Sequence, residues 1–148
     1  MSRPRPNDAD PIVREVRVAA PPHEVFAYFT DPARMVAWKA VAAWLEPVPG
    51  GLFRIDVNGR RVARGEFLEI DPPRRVVFSW GWEDGEFPPG STRVEITLSE
   101  VAGGTLVRLV HSGLPAPHRA GNAAGWDHYL ERLRLAAGGA DPGPDPWG

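Results

Sequence analysis

The chain has 148 residues, a length that fits one domain able to bury its own core. It contains no cysteine, which excludes disulfides and thiolate metal sites. Its 17 Lys and Arg against 19 Asp and Glu give a formal charge of -2, a balance that argues against a nucleic acid or an anionic membrane surface as partner. No apolar run is long enough to span a bilayer, and the first residues, MSRPRPNDADP, lack the apolar stretch of a secretory signal, so a cytoplasmic location is the expectation.

Residues 1–11 are polar and Pro-rich and are expected to form a disordered tail. Val16 and Val18 alternate with Arg17, the period of a half-buried strand over Ile12 to Val18. Pro21 and Pro22 suit the first turn of a helix carrying Val25, Phe26 and Phe29. Asp31-Pro32 ends that helix and can cap a second short one bearing Met35 and Trp38. Lys39, next to Trp38, is the only lysine in the chain.

From Val41 to Ser112 the pattern is strand and turn. Ala42 to Pro47 reads as a weak strand. Phe53, Ile55 and Val57 alternate with Arg54 and Asp56, and Asn58-Gly59 marks a hairpin into Val62 to Ile70. Val76, Phe78, Trp80 and Trp82 form one face of the next strand. Val94, Ile96 and Leu98 alternate in the strand after it, and Gly103-Gly104 turns the chain into a last strand with Val107, Leu109 and His111 on one face. Trp126, Tyr129, Leu130 and Leu133 then make an apolar stripe on a helix over Pro117 to Ala137. Residues 138–148 are too rich in Gly and Pro for regular structure and are expected as a second disordered tail, in which Trp147 stands alone. The fold class is therefore α+β, a single domain over 12–137. A curved antiparallel sheet of about six to seven strands has two short helices after its first strand and a long C-terminal helix packed across it.

Certain stretches carry a family resemblance: Ala20-Pro21-Pro22-His23-Glu24-Val25-Phe26, Phe29-Thr30-Asp31-Pro32 with Trp38, and Pro49-Gly50-Gly51-Leu52-Phe53. Further on come Gly65, Glu69-Ile70-Asp71-Pro72-Pro73-Arg74-Arg75-Val76-Val77-Phe78-Ser79-Trp80, Gly104-Thr105, His111-Ser112-Gly113-Leu114, and Gly125-Trp126 with Leu130. In this order they resemble the START-like (Bet v 1-like, SRPBCC) superfamily, and within it the domain family named after the activator of the heat-shock-protein ATPase. The resemblance implies a helix-grip fold with a cavity between sheet and helix. It also implies apolar ligands such as lipids, hormones or polyketides, with cyclase or hydrolase activity in some members. The namesake stimulates a chaperone, which leaves a chaperone-linked or stress-related interaction module as an alternative to a binder or an enzyme. Fold alone does not choose among these.

The expected ligand is a small apolar molecule, held by a protein that is a monomer or a homodimer. The residues expected to face the cavity are Phe53, Phe78, Trp80, Trp82, Val94, Ile96, Leu109, Trp126 and Tyr129. Gly121, Ala123, Ala124 and Gly125 are small, and each Gly costs helix propensity, about 1 kcal/mol relative to Ala, which suggests that something else needs the room. His111, inward on its strand, is either a core histidine or a polar anchor and the candidate acid–base group. Tyr129 offers a second polar tip. Glu66 and Glu69 lie on a strand of uncertain register. No cofactor is expected. No metal is expected either: His118 and His128 are ten apart on the helix, and neither they nor His23 and His111 show ligand spacing.

Overall fold

The computed structural model describes residues 10–85 and 87–146. The chain runs β1 (Ile12–Val18), α1 (Pro22–Thr30), α2 (Pro32–Met35), β2 (Ala42–Leu45), β3 (Leu52–Asp56), β4 (Val62–Asp71), β5 (Arg75–Trp80), β6 (Thr92–Val101), β7 (Gly104–Ser112) and α3 (Ala116–Ala137). All seven strands join one antiparallel sheet in the order β1-β7-β6-β5-β4-β3-β2. This is the expected α+β helix-grip architecture. No helix among the described residues is long and apolar enough to cross a membrane.

Local chemistry sets the breaks. Pro22 opens α1, and the Asp31 amide closes it on the Ala27 carbonyl while the Asp31 carboxylate caps α2 at the Ala33 amide, 2.9 Å away. β1 returns to pair with β7, Ile12 opposite His111 and Val18 opposite Thr105, so the last strand lies inside the sheet. One sheet face carries a continuous apolar layer. Phe53 stacks on Phe78 with ring centres 4.0 Å apart, and Phe67 meets Phe53 edge-on at 5.6 Å. Val94, Ile96, Val107 and Leu109 extend the layer with no solvent exposure. Helix α3 covers it with Trp126, Tyr129, Leu130 and Leu133. A register shift between Phe67 and Glu69 resolves the ambiguous strand: Glu66 and Glu69 both face solvent, Glu69 pairing with Arg75 at 2.8 Å.

One strand ends earlier than its alternation implies. β5 stops at Trp80, and Trp82 reaches Ala63 only through an isolated bridge. Close backbone contact accounts for the break: a Cβ at Gly81 would lie 1.7 Å from the Pro88 carbonyl oxygen.

Gly138 caps α3, Gly139 follows with φ of +92°, and Ala140 donates back to the Leu135 carbonyl. Residues 140–146 then return along α3 without regular structure. Arg132 holds them by donating to the carbonyls of Pro142 and Gly143, and its Nε donates to the Trp38 carbonyl at 3.0 Å. His128 adds a contact to Asp145 at 2.7 Å. At the other end, Arg119 of α3 donates to the carbonyls of Asp10 and Pro11. The rest of the expected N-terminal tail and Trp147 lie outside the described residues. Because one guanidinium satisfies three carbonyls here, Arg132→Ala should lower unfolding free energy by about 2 kcal/mol in urea titration. It should also speed amide exchange over residues 140–146.

Candidate functional site

Between the early turns of α3 and the sheet the space is not filled, because Gly121 and Gly125 present no side chain there. A Cβ added at either would meet nothing within 4 Å. The space between is a cavity of about 380 Å³ that opens to solvent, within the range of roughly 300–1,000 Å³ common for small-molecule sites. Gly121, Asn122, Gly125, Trp126 and Tyr129 of α3, with Pro117 and His118 at its start, form one wall. Trp80 and Trp82 form the opposite wall, and Val57, Asn58 and Arg61 of the β3–β4 hairpin form the rim. Ala123 is buried and Ala124 exposed, and neither lines the space.

Lys39 closes the inner end. Its backbone is fixed by the hydrogen bond that its N–H donates to the Met35 carbonyl and by the one that Arg132 donates to the adjacent Trp38 carbonyl. The side chain is only 6% exposed. Its ammonium sits 4.1 Å from the Tyr129 ring centre, 4.3 Å from Trp126 and 5.0 Å from Trp80, close enough for cation–π attraction to each ring. No acceptor among the described residues takes a hydrogen bond from it. Burial pulls its pKa down from 10.5 to about 7, partly offset by the negative charge of Asp145. Asp145 is itself engaged by His128 and by the Tyr129 hydroxyl, whose own pKa is pushed upward chiefly by burial and further by that carboxylate.

Beneath the cavity, His111 is fully buried, and its bonds define its tautomer. Trp126 Nε1 can only donate, so His111 Nδ1 accepts it at 2.9 Å. The ring proton is then on Nε2, which faces Thr92 Oγ1 at 2.8 Å, while that hydroxyl donates to the Trp80 carbonyl at 2.8 Å. Each link from Trp126 Nε1 through His111 and Thr92 Oγ1 to the Trp80 carbonyl is made with a neutral imidazole. Burial, and then the positive charge of Lys39, push the His111 pKa down to about 3. Of the two readings open for His111, the geometry favours the core histidine: it does not line this cavity, and both ring nitrogens are engaged. It ties β6 and β7 to α3.

Of the other residues expected to face the cavity, Trp80, Trp82, Trp126 and Tyr129 line it. Phe53, Phe78, Val94, Ile96 and Leu109 do not: they point to the predicted face but are covered by one another and by α3, at no more than 2% exposure. Sequence reasoning missed Lys39, Arg61, Asn58, His118 and Asn122. The lone lysine inside the otherwise apolar stretch Met35 to Leu45 was the signal available for the first of them.

Two predictions follow from these environments. Carbon-detected NMR of the imidazole rings should show no His111 titration between about pH 4.5 and 8. For Lys39, the unfolded amine keeps its proton up to about 10.5 and the folded one loses it at about 7. The unfolded chain thus binds the extra proton between those values, so this residue favours the fold increasingly as pH rises through that window. Below it the full cost of the buried charge is present. Lys39→Met should then stabilise the protein at about pH 6 by on the order of 3 kcal/mol in urea titration, with the gain fading toward pH 10.

The family model described as Activator of Hsp90 ATPase homolog 1-like protein matches residues 19–138. The human activator of 90 kDa heat shock protein ATPase homolog 1 is 29% identical over 121 residues, covering 79% of this chain and 34% of its own length. The chain thus spans about a third of that relative. An AHSA1-like protein from Rhizobium etli, solved by solution NMR, is 51% identical with a TM-score of 0.74, covering 93% of this chain and 88% of its own. The crystal structure of CalU16 from Micromonospora echinospora is 31% identical with a TM-score of 0.72, covering 87% and 76% respectively.

Proposed function

This chain belongs to the family of Activator of Hsp90 ATPase homolog 1-like proteins, and we propose that it binds a small, largely apolar molecule in the cavity between α3 and the sheet. The observation that supports this is the hollow itself. A well-packed core of Phe53, Phe67 and Phe78 ends abruptly at Trp80, Trp82 and Trp126, whose rings border open volume. Two glycines keep the facing helix wall bare. A filled interior would place side chains at those positions and gain helix propensity, about 1 kcal/mol for each Gly→Ala exchange. A ligand burying about 200 Å² of apolar surface there would gain about 5 kcal/mol before the cost of immobilising it. Chaperone activation, which the human relative's name describes, belongs to a chain of which this one matches 34%. The cavity, not that name, supports the binding role.

Gly125→Phe tests the proposal without disturbing the core, since its Cβ has open space and Phe is a better helix former than Gly. A neutral fluorescent probe, N-phenylnaphthylamine, should bind the wild-type protein saturably. Binding should weaken by about tenfold or more in Gly125→Phe and persist in Gly125→Ala. Absence of saturable binding to the wild type, or equal binding to Gly125→Phe, would contradict it.

A further inference from the structure

We infer that the ligand is an anion: a flat apolar body carrying one ionised oxygen, as in a carboxylate, phenolate or enolate, seated with that oxygen against the Lys39 ammonium. The inference rests on the cavity's being the binding site and adds the charge of what enters it.

Two features of the cavity support it. First, the Lys39 side chain is more than nine-tenths buried, lines the cavity, and has no hydrogen-bond acceptor among the described residues. An ammonium has three donors and no acceptor capacity, and aromatic rings attract its charge without taking its protons. Second, the described lining residues include no carboxylate, although the chain as a whole carries a net charge of -2. They do include a second cation, Arg61, whose guanidinium lies 4.0 Å over the Trp82 ring and pairs with Asp84 at 3.0 Å outside the lining.

The same facts exclude the other charge classes. An aromatic cage ordinarily suits a cationic ligand, but here the protein's own ammonium fills the cage and would repel one. A neutral carbonyl could accept a proton from Lys39 but would leave the buried charge uncompensated. An ionised oxygen neutralises it through a charge-assisted bond, roughly twice as strong as a neutral one. The rings of Trp80, Trp82 and Trp126 then stack on the flat apolar remainder.

Three probes of matched shape test this by isothermal calorimetry at about pH 6: naphthoate, naphthamide and naphthylmethylammonium. The anion should bind the wild-type protein about tenfold or more tighter than the neutral amide, and the cation should not bind detectably. Lys39→Met, with its fold checked by near-ultraviolet circular dichroism, should reduce the ratio of naphthoate to naphthamide affinity to about one. Equal affinity of the wild type for naphthoate and naphthamide, or a preference that survives Lys39→Met, would overturn the anion assignment and leave the cavity role standing. Failure of all three probes to bind the wild type would overturn both. The wild-type comparison holds regardless of whether the variant folds.

Discussion

A single ammonium, enclosed among aromatic rings and given no carboxylate of its own to bond, sets the terms for the rest of this molecule. A buried charge must be held by something, and three parts of the chain combine to hold this one. The end of α2 fixes the Lys39 backbone, α3 supplies Trp126 and Tyr129, and β5 supplies Trp80. Arg132 locks the arrangement by bonding the Trp38 carbonyl on one side and the returning C-terminal segment on the other. That segment brings Asp145 near enough to soften the cost of the charge without neutralising it by direct contact.

Division of labour along the sheet follows. At one end the inward face is solid, with stacked phenylalanines and aliphatic side chains at essentially no exposure. At the other, two glycines of the helix leave the space unfilled, and the rings turn toward it. The satisfied chain through His111 and Thr92 lies at the boundary. It joins β5, β6, β7 and α3 by directional bonds beneath the hollow. A buried, fully paired histidine of this kind adds specificity of packing, not proton transfer.

Alternation and periodicity made the element order legible, because each strand has one dry face and α3 has an apolar stripe. They identified the face of Phe53, Phe78, Ile96 and Leu109 correctly but not the depth, since period-two patterning distinguishes inside from outside and says nothing of whether an inward ring meets another ring or a void. His111 shows the same limit: its face was readable, while its two partners, Thr92 and Trp126, depend on the β6–β7 register and on which side of α3 bears Trp126. Trp82 continued the alternation past Gly81, where the backbone approach of Pro88 had already ended the strand. Lys39 was least legible of all. It sits in a short connection with no periodicity, and its rings come from elements far apart in sequence. Gly121 and Gly125 were legible as missing side chains, and both border the hollow.

Retaining a lysine whose charge opposes burial, where an apolar side chain would fit more cheaply, is understandable if its charge meets a ligand. The account therefore turns on the state of that one amine, and a chain with a single lysine allows it to be observed directly. The Lys39 side-chain carbon and nitrogen shifts, followed by NMR from about pH 5 to 11, should show a midpoint near 7 in the free protein, moving upward when naphthoate is added. A midpoint near the ordinary 10.5 that does not move with naphthoate would mean a solvated ammonium, with neither the cage nor the site built around it.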